Sequence, residues 1–411
     1  MENIKNLKHI FWVMLTLVSF MIILTNCINN QGEKIVILNS EGQQFAGSAI
    51  CQNCHHEIYD SFIHTPHYLT SQPAQKNYIK GNFDEGSNIY IYNYFDKVVM
   101  EDRDNSFYQV EYYHDKEKSA HRFDIVIGSG TRGQTYLSWQ GNKLFQLPVS
   151  YFAPTHSWSN SPGYPQYQPF FNRLISGRCL ECHSTNFKKI SAEFAGAEEY
   201  DRKQIIYGVD CERCHGPAEK HVEYQMQHPA FKQGKYIINP NAFTRQQKLD
   251  MCALCHSGFL NAKQSSFSFR AGDTLSKFFS VNTNLFNDTS NIDVHGNEYG
   301  LLISSKCFKM TATLQCNTCH DTHINQRGNL LLFSQKCMIC HNNEHANFCK
   351  MAASLGTSIK ENCIDCHMPL LPSKVLSVRL EGQQKSIPAM IRKHYISIYP
   401  EATQKFLKTL K

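Results

Sequence analysis

Apolar and polar positions divide the chain into stretches of different rhythm. Residues 10–24 form an unbroken apolar run behind Lys5 and Lys8. Residues 28–46 are polar and lack a strong period. From Asn88 the apolar residues alternate. Segments 88–94, 97–101, 107–113, 121–127, 134–139 and 144–151 are rich in Tyr, Val, Ile and Phe, with turn-like clusters between them at 102–105, 115–118, 128–130 and 140–142. This predicts short antiparallel strands joined as hairpins. Residues 161–169 read as a loop. From Arg178 the spacing lengthens: 187–207, 218–227 and 245–254 carry helical periodicity, as does the short stretch 56–63. The segment 271–305 is rich in Asn, Ser and Thr and reads as containing a long loop. The pattern alone predicts a mainly α and irregular chain, with a small antiparallel β-rich insertion over 88–175.

Cysteine changes that picture. The chain has 411 residues, 17 Cys and 20 His. A Cys-x-x-Cys-His unit occurs at Cys51-Cys54-His55, Cys179-Cys182-His183, Cys211-Cys214-His215, Cys252-Cys255-His256, Cys316-Cys319-His320, Cys337-Cys340-His341 and Cys363-Cys366-His367. Chance placement at these frequencies gives about 0.03 copies. The unit attaches c-type haem: two thiols bond the vinyl groups, and the following imidazole ligates the iron from the proximal side. Zinc held by paired Cys-x-x-Cys units is the alternative, but it gives no reason for His after every second Cys. The expected cofactor set is seven covalently bound c-type haems. Their apolar bodies would replace much of an ordinary core, so the fold class becomes mainly α and irregular structure packed round seven haems.

The spacing of the sites sets the organisation. No site falls between Cys54 and Cys179. Six then follow at Cys-to-Cys intervals of 32, 41, 64, 21 and 26 residues. Such intervals leave no room for independent domains, so neighbouring haems must share walls. The expected layout is a signal peptide of lipoprotein type over 1–26, a tether over 27–46, a first haem site over 47–87, the β-rich insertion over 88–175, and a six-haem domain over 176–411. The 15-residue apolar run is short for a membrane span and suits a signal h-region. Leu24-Thr25-Asn26-Cys27 resembles a bacterial lipobox, which makes Cys27 the expected lipidation site. The mature protein is then exported, on the periplasmic side or outer surface, and lipid-anchored to a bacterial membrane.

Charge argues against nucleic acid as a partner. The formal charge is +6. Each ferric haem contributes about −1 through its propionates, so seven would bring the total to about −1. No basic run marks a nucleic-acid patch.

The remaining imidazoles are candidates for the distal face of the haems. Seven of the 20 histidines sit in motifs and His9 lies in the leader, which leaves twelve. His221, His323 and His345 each stand too close to their own proximal His to cap the same haem easily, so a neighbouring haem is the expected partner. His295 lies midway along the longest interval and His394 follows the last site. His67, His64 and His156 complete the candidates. His56, His114, His121 and His228 read as surface or hydrogen-bonding residues. Met368 directly follows His367 and is badly placed for that haem. Cys307 and Cys349 either form a disulfide or remain two separate buried thiols.

With these residues in place, the chain resembles the exported multihaem cytochromes c described as cytochrome c-554-like. The likeness rests on Gly208-Val-Asp-Cys-Glu-Arg-Cys-His-Gly-Pro-Ala-Glu-Lys-His221, Leu147–Tyr151 with Ser161–Tyr164, Cys307 with Leu314–His323, and Cys363–Pro369. It spans roughly residues 47–400. It implies that His221 and His323 are distal ligands, and that Cys307 and Cys349 stand where such proteins carry an extra cysteine pair. Many members also carry a C-terminal tetratricopeptide array, whereas this sequence ends 17 residues after His394. No Cys-x-x-Cys-Lys unit is present.

Two function classes remain. One is a heptahaem relay in anaerobic or respiratory electron transfer, working between a quinol-linked donor and a terminal acceptor or reductase. The other is a multihaem oxidoreductase acting on a small nitrogen or sulfur compound at one five-coordinate haem. Its candidate site is the first haem, beside Tyr151, His156 and Tyr164.

Overall fold

The computed structural model describes residues 12, 14–16, 35–191, 198–258, 260–280, 292–342, 348–383 and 385–409. Met1–Ile37 and Leu38–Lys411 are two compact units. In the first, the described residues 12 and 14–16 are helical. Cys27 and the rest of the leader lie outside the described residues, as does His345. Among the described residues no helix is long and apolar enough to cross a membrane.

Two antiparallel sheets organise the second unit. Ile89–Ile91, Asp96–Arg103, Ser106–Tyr113 and Lys116–Arg122 form a four-stranded meander in sequence order. Its two-residue turns fall at Asp104-Asn105 and His114-Asp115, all with positive φ. Such turns match the right-handed twist of paired strands, and Asn and Asp tolerate the left-handed region best. The second turn therefore lies at 114–115, ahead of the expected 115–118 cluster. Val98, Met100 and Val110 are fully buried.

The larger sheet has seven strands. Ser71–Pro73, Ile125–Ile127, Gly133–Gln140, Lys143–Gln146 and Arg173–Leu174 lie side by side in that order. Val149–Phe152 pairs with Gly133–Gln140 and with Ser157–Asn160. The expected single strand 121–127 is split between the two sheets. Asp124 marks the break: its carboxylate accepts the Trp139 N–H at 2.7 Å and pairs with Arg122.

The fold class expected from the sequence is overturned. Among the described residues there are 17 strands in five sheets, so the chain is not mainly α. Strands also lie outside the insertion, at Ser71–Pro73, Ser184–Lys189, Tyr200–Tyr207, Leu370–Val378 and Ile387–Arg392. The segment 187–207, expected to be helical, contributes to a hairpin of Ser184–Lys189 with Tyr200–Tyr207. Its aromatic ends decide this. Phe187 and Tyr200 are buried with Ile125, Leu137 and Leu144 of the large sheet. Each such burial contributes about 1.5–3 kcal/mol, which outweighs the helix preference of an Ala- and Glu-rich centre, about a few tenths of a kcal/mol per residue. The C-terminal hairpin likewise packs Val378, Ala389 and Ile391 on Phe152 and Val294. The β-rich part is thus a scaffold sharing its core with the motif-bearing part.

The helices are short, and most begin or end at a motif. Ser48–Phe62 carries the first, with a kink at His55. Gly177–His183, Cys211–His215, Arg245–His256, Cys316–Cys319 and Ile364–His367 carry or abut others, and Leu330–Met338 leads into the sixth. A turn of helix places positions i, i+3 and i+4 on one face. Both thiols and the imidazole of a motif can therefore address one ligand.

Candidate haem centre

The third motif is built into its neighbours by two buried carboxylates. Asp210 caps the helix Cys211–His215, accepting the Glu212 N–H at 3.0 Å. Glu212, 3% exposed, accepts the N–H groups of Ala46 and Gly47 at 2.9 Å and of Ala218 at 2.7 Å. It thereby fixes the entry to the first motif helix against the third motif. Burial raises the pKa of both carboxyls, and the hydrogen bonds they accept oppose that rise. Gly208 has φ +65, and a Cβ there would lie 2.1 Å from the Tyr68 carbonyl oxygen. Only glycine lets the chain pass so close, and the adjacent Val209 N–H bonds the His67 carbonyl at 2.9 Å.

A cavity of about 2330 Å³ runs between the motifs. An ordinary small-molecule site holds ~300–1,000 Å³. Proximal candidates His55, His183, His215, His256 and His320 line it, together with distal candidates His67, His221, His295, His323 and His394. His64 is exposed and absent from the lining. His156 is also absent from it, and its Nδ1 meets the Tyr151 hydroxyl at 3.0 Å. Tyr164 donates its hydroxyl to the Gln146 carbonyl at 2.8 Å. His121 stacks on Phe171, His228 stacks on Tyr224, and His114 packs on Phe95.

The imidazoles come in facing pairs. Ring centres of His67 and His256 are 6.2 Å apart, those of His215 and His323 6.3 Å, and those of His320 and His394 6.2 Å. Two imidazoles bonded to one metal ion through nitrogens about 2 Å away carry their ring centres about 6 Å apart. After burial, His295 contributes to the lowering of the His183 pKa, and His323, His55 and His221 to that of His215. Burial, with the neighbouring imidazoles adding to it, holds His67, His183 and His320 at a pKa of about 4. Neutral imidazole is the form that ligates a metal.

The other ring nitrogen is committed in several cases. Nδ1–H donates to the carbonyl of Ile238 from His215 at 2.9 Å and to that of Ser397 from His367 at 2.8 Å. It donates to Lys235 from His221 at 2.9 Å and to Arg392 from His394 at 3.2 Å. His183 Nδ1 meets the Thr70 hydroxyl at 2.9 Å, and His256 Nδ1 meets Glu298 Oε2 at 3.1 Å. A carbonyl acceptor fixes the proton on Nδ1 and leaves the Nε2 lone pair for a metal. Burial pushes the Glu298 carboxyl up, but the hydrogen bond and charge of His256 and the charge of His394 hold it at about 2. Sequence reasoning missed the partners of the motif histidines, because nothing local to a motif names a residue 23 to 113 positions away.

The motif helices pack on one another: Arg245–His256 on Gly177–His183 and on Cys316–Cys319, and Leu330–Met338 on Cys316–Cys319 and on Ile364–His367. Cys182 Sγ reaches the Leu254 carbonyl at 3.9 Å, and Arg213 donates to the Glu181 carbonyl at 3.3 Å. Cys307 and Cys349 carry free thiols.

These residues fit c-type haem. Thiols, paired imidazoles and an apolar wall that includes Ile58, Phe62, Phe152, Leu254, Phe269 and Phe333 all face the same space. Arg132 and Arg327 also line it, close enough that each lowers or feels the charge of another arginine. Neither has an ion-pair partner among the described residues, a suitable state for receiving propionates. The zinc alternative needs a compact ligand group. Among the described residues no set of three or more His, Cys, Asp and Glu side chains is arranged to hold a metal ion alone.

Comparison with known proteins agrees with this chemistry. Residues 164–216 match the family model described as cytochrome c554 and c-prime. The fold is similar to that of the outer cell wall cytochrome OcwA, with a TM-score of 0.51 and 12% identity over 88% of this chain and 81% of that one. No curated protein sequence matches significantly. The matched segment contains the second and third motifs and the two buried carboxylates Asp210 and Glu212, and over that segment the chain is similar to the cytochrome c554 and c-prime family.

Proposed function

We propose that the protein is an exported heptahaem relay, tethered to a bacterial membrane through Cys27, that passes electrons between redox protein partners. The observation that carries this reading is the packing of one motif on the next. Glu212 of the third motif holds the entry to the first, Arg213 of the third reaches the Glu181 carbonyl of the second, the helix of the fourth packs on those of the second and fifth, and the helix leading into the sixth packs on those of the fifth and seventh. Haems bonded to motifs so packed would share walls, the arrangement that rapid transfer between cofactors needs.

Each bound haem supplies a one-electron iron couple. The chain's own residues do the rest. The two cysteines of each motif fix the macrocycle, and His55, His183, His215, His256, His320, His341 and His367 serve as proximal ligands. The close rings support His67 as the distal ligand of the fourth site, His323 of the third and His394 of the fifth. His295 is the candidate for the second and His221 for the first. His345 serves the sixth or seventh. Acceptors on Nδ1 hold the rings in the ligating tautomer, and the apolar walls exclude water. Exposed Leu331 and Ile339 at the sixth motif offer apolar contact where partners exchange electrons.

One observation favours the oxidoreductase reading as a second choice. His64 and His156 do not line the cavity, and setting them aside leaves six distal candidates for seven haems. The sixth or seventh haem then keeps an open face. Low-temperature EPR of the oxidised holoprotein separates the two. Only low-spin ferric signals support the pure relay. A high-spin signal of one-haem intensity moves the conclusion to the second reading.

A further inference from the structure

We propose that Glu298 is a positioning residue that sets the haem of the fourth motif to a low reduction potential, at the point where three other sites converge. The inference deepens the relay reading and rests on it.

The partners of the ring nitrogens carry the argument. His215, His367, His221 and His394 donate Nδ1–H to backbone carbonyls, and His183 meets a hydroxyl. These acceptors are neutral. Among the described rings with an assigned Nδ1 partner, two meet a carboxylate. His323 approaches Asp321 at 3.3 Å, but that carboxylate is 51% exposed and its charge is screened by water. Glu298 lies 3.1 Å from His256 Nδ1 and is 25% exposed. Its interaction with the ring is the less screened of the two.

A carboxylate accepting Nδ1–H draws the proton toward itself and gives the ring imidazolate character. Nε2 becomes a stronger donor to the iron. Ferric iron gains more from that donation than ferrous iron, so the potential falls. The position gives the effect its consequence. The helix Arg245–His256 of this motif packs on the helices of the second and fifth motifs, with Cys182 Sγ 3.9 Å from the Leu254 carbonyl, and Cys214 of the third is close enough to raise the Cys252 pKa. A low-potential haem at this junction passes electrons onward to its neighbours and does not retain them.

Glu298 opens the helix Glu298–Ser304, which is packed by the buried Leu301. A purely structural role at that helix would leave the potentials alone. The test is therefore spectroelectrochemical titration of the seven-haem protein and of its Glu298→Gln, Glu298→Ala and Glu298→Asp variants. In Glu298→Gln, which keeps an acceptor but loses the charge, one potential of the seven rises and the others stay. Glu298→Ala raises the same one at least as far. Glu298→Asp keeps it below the Gln value. Unchanged potentials in a fully loaded Glu298→Gln protein overturn the proposal. Should the variants fail to fold, the wild type still decides: EPR must contain one low-spin signal with imidazolate character, and a spectrum without it overturns the proposal. A wild-type Cys252–His256 peptide that carries no haem instead overturns the relay reading itself.

Discussion

Gly208 and Glu212 decide whether the first and third motifs meet. At Gly208 an added methyl group would strike the Tyr68 carbonyl, and φ is +65. Gly208→Ala is expected to destabilise the holoprotein by about 1–3 kcal/mol, the cost of a strained left-handed residue, measured by denaturant unfolding. A variant as stable as the wild type would show that the close approach is not made. Glu212→Ala leaves three backbone N–H groups without their acceptor. At about 1–3 kcal/mol for each buried unsatisfied group, it is expected to cost more than the glycine variant and to release the segment around Ala46 to hydrogen exchange. Both residues stand in the stretch that the sequence singled out, yet only the cysteines, His215 and His221 were legible there. Covalent attachment imposes a fixed spacing, and fixed spacings can be read. The tasks of Gly208 and Glu212 depend on Tyr68, Ala46 and Gly47, far away in the chain.

At the scale of elements, the hairpins of the insertion were legible because alternating apolar residues and Asn or Asp turns are local signals. The hairpin of Ser184–Lys189 with Tyr200–Tyr207 was not, since its aromatic ends are strands only by packing on Ile125, Leu137 and Leu144. Haem-ligand pairing is likewise a property of elements meeting. The short turn after the first helix brings His67 to His256, and the strand end at Arg392 brings His394 to His320. His67→Ala, His323→Ala and His394→Ala are each expected to remove one haem of seven from the low-spin EPR signal, while His64→Ala leaves the spectrum unchanged. A wild-type spectrum from any of the first three would refute that pairing. Loss of a low-spin haem in His64→Ala would return that residue to the candidates.

For the whole molecule, the sheets explain how a chain with so many cofactor sites keeps them together. Elements from Ile50 to Ile396 line the cavity, and while each part has a core cluster of its own, two further clusters join the sheets to the motif-bearing part. Removal of haem should therefore loosen the motif segments first, with the four-stranded meander retaining its amide protection longest. Export and anchoring rest on the leader alone. Cys27→Ser is expected to move the protein from the membrane fraction to the soluble exported fraction with its haem content intact. Continued membrane association would set the lipid anchor aside.

The central claim is that all seven motifs carry haem, since a missing member breaks the series of contacts. Intact-mass spectrometry of the exported protein under denaturing conditions tests this most directly. The account predicts a polypeptide bearing seven covalent haems. A mass with fewer haems, or a haem-free chain that retains zinc under native conditions, would contradict it.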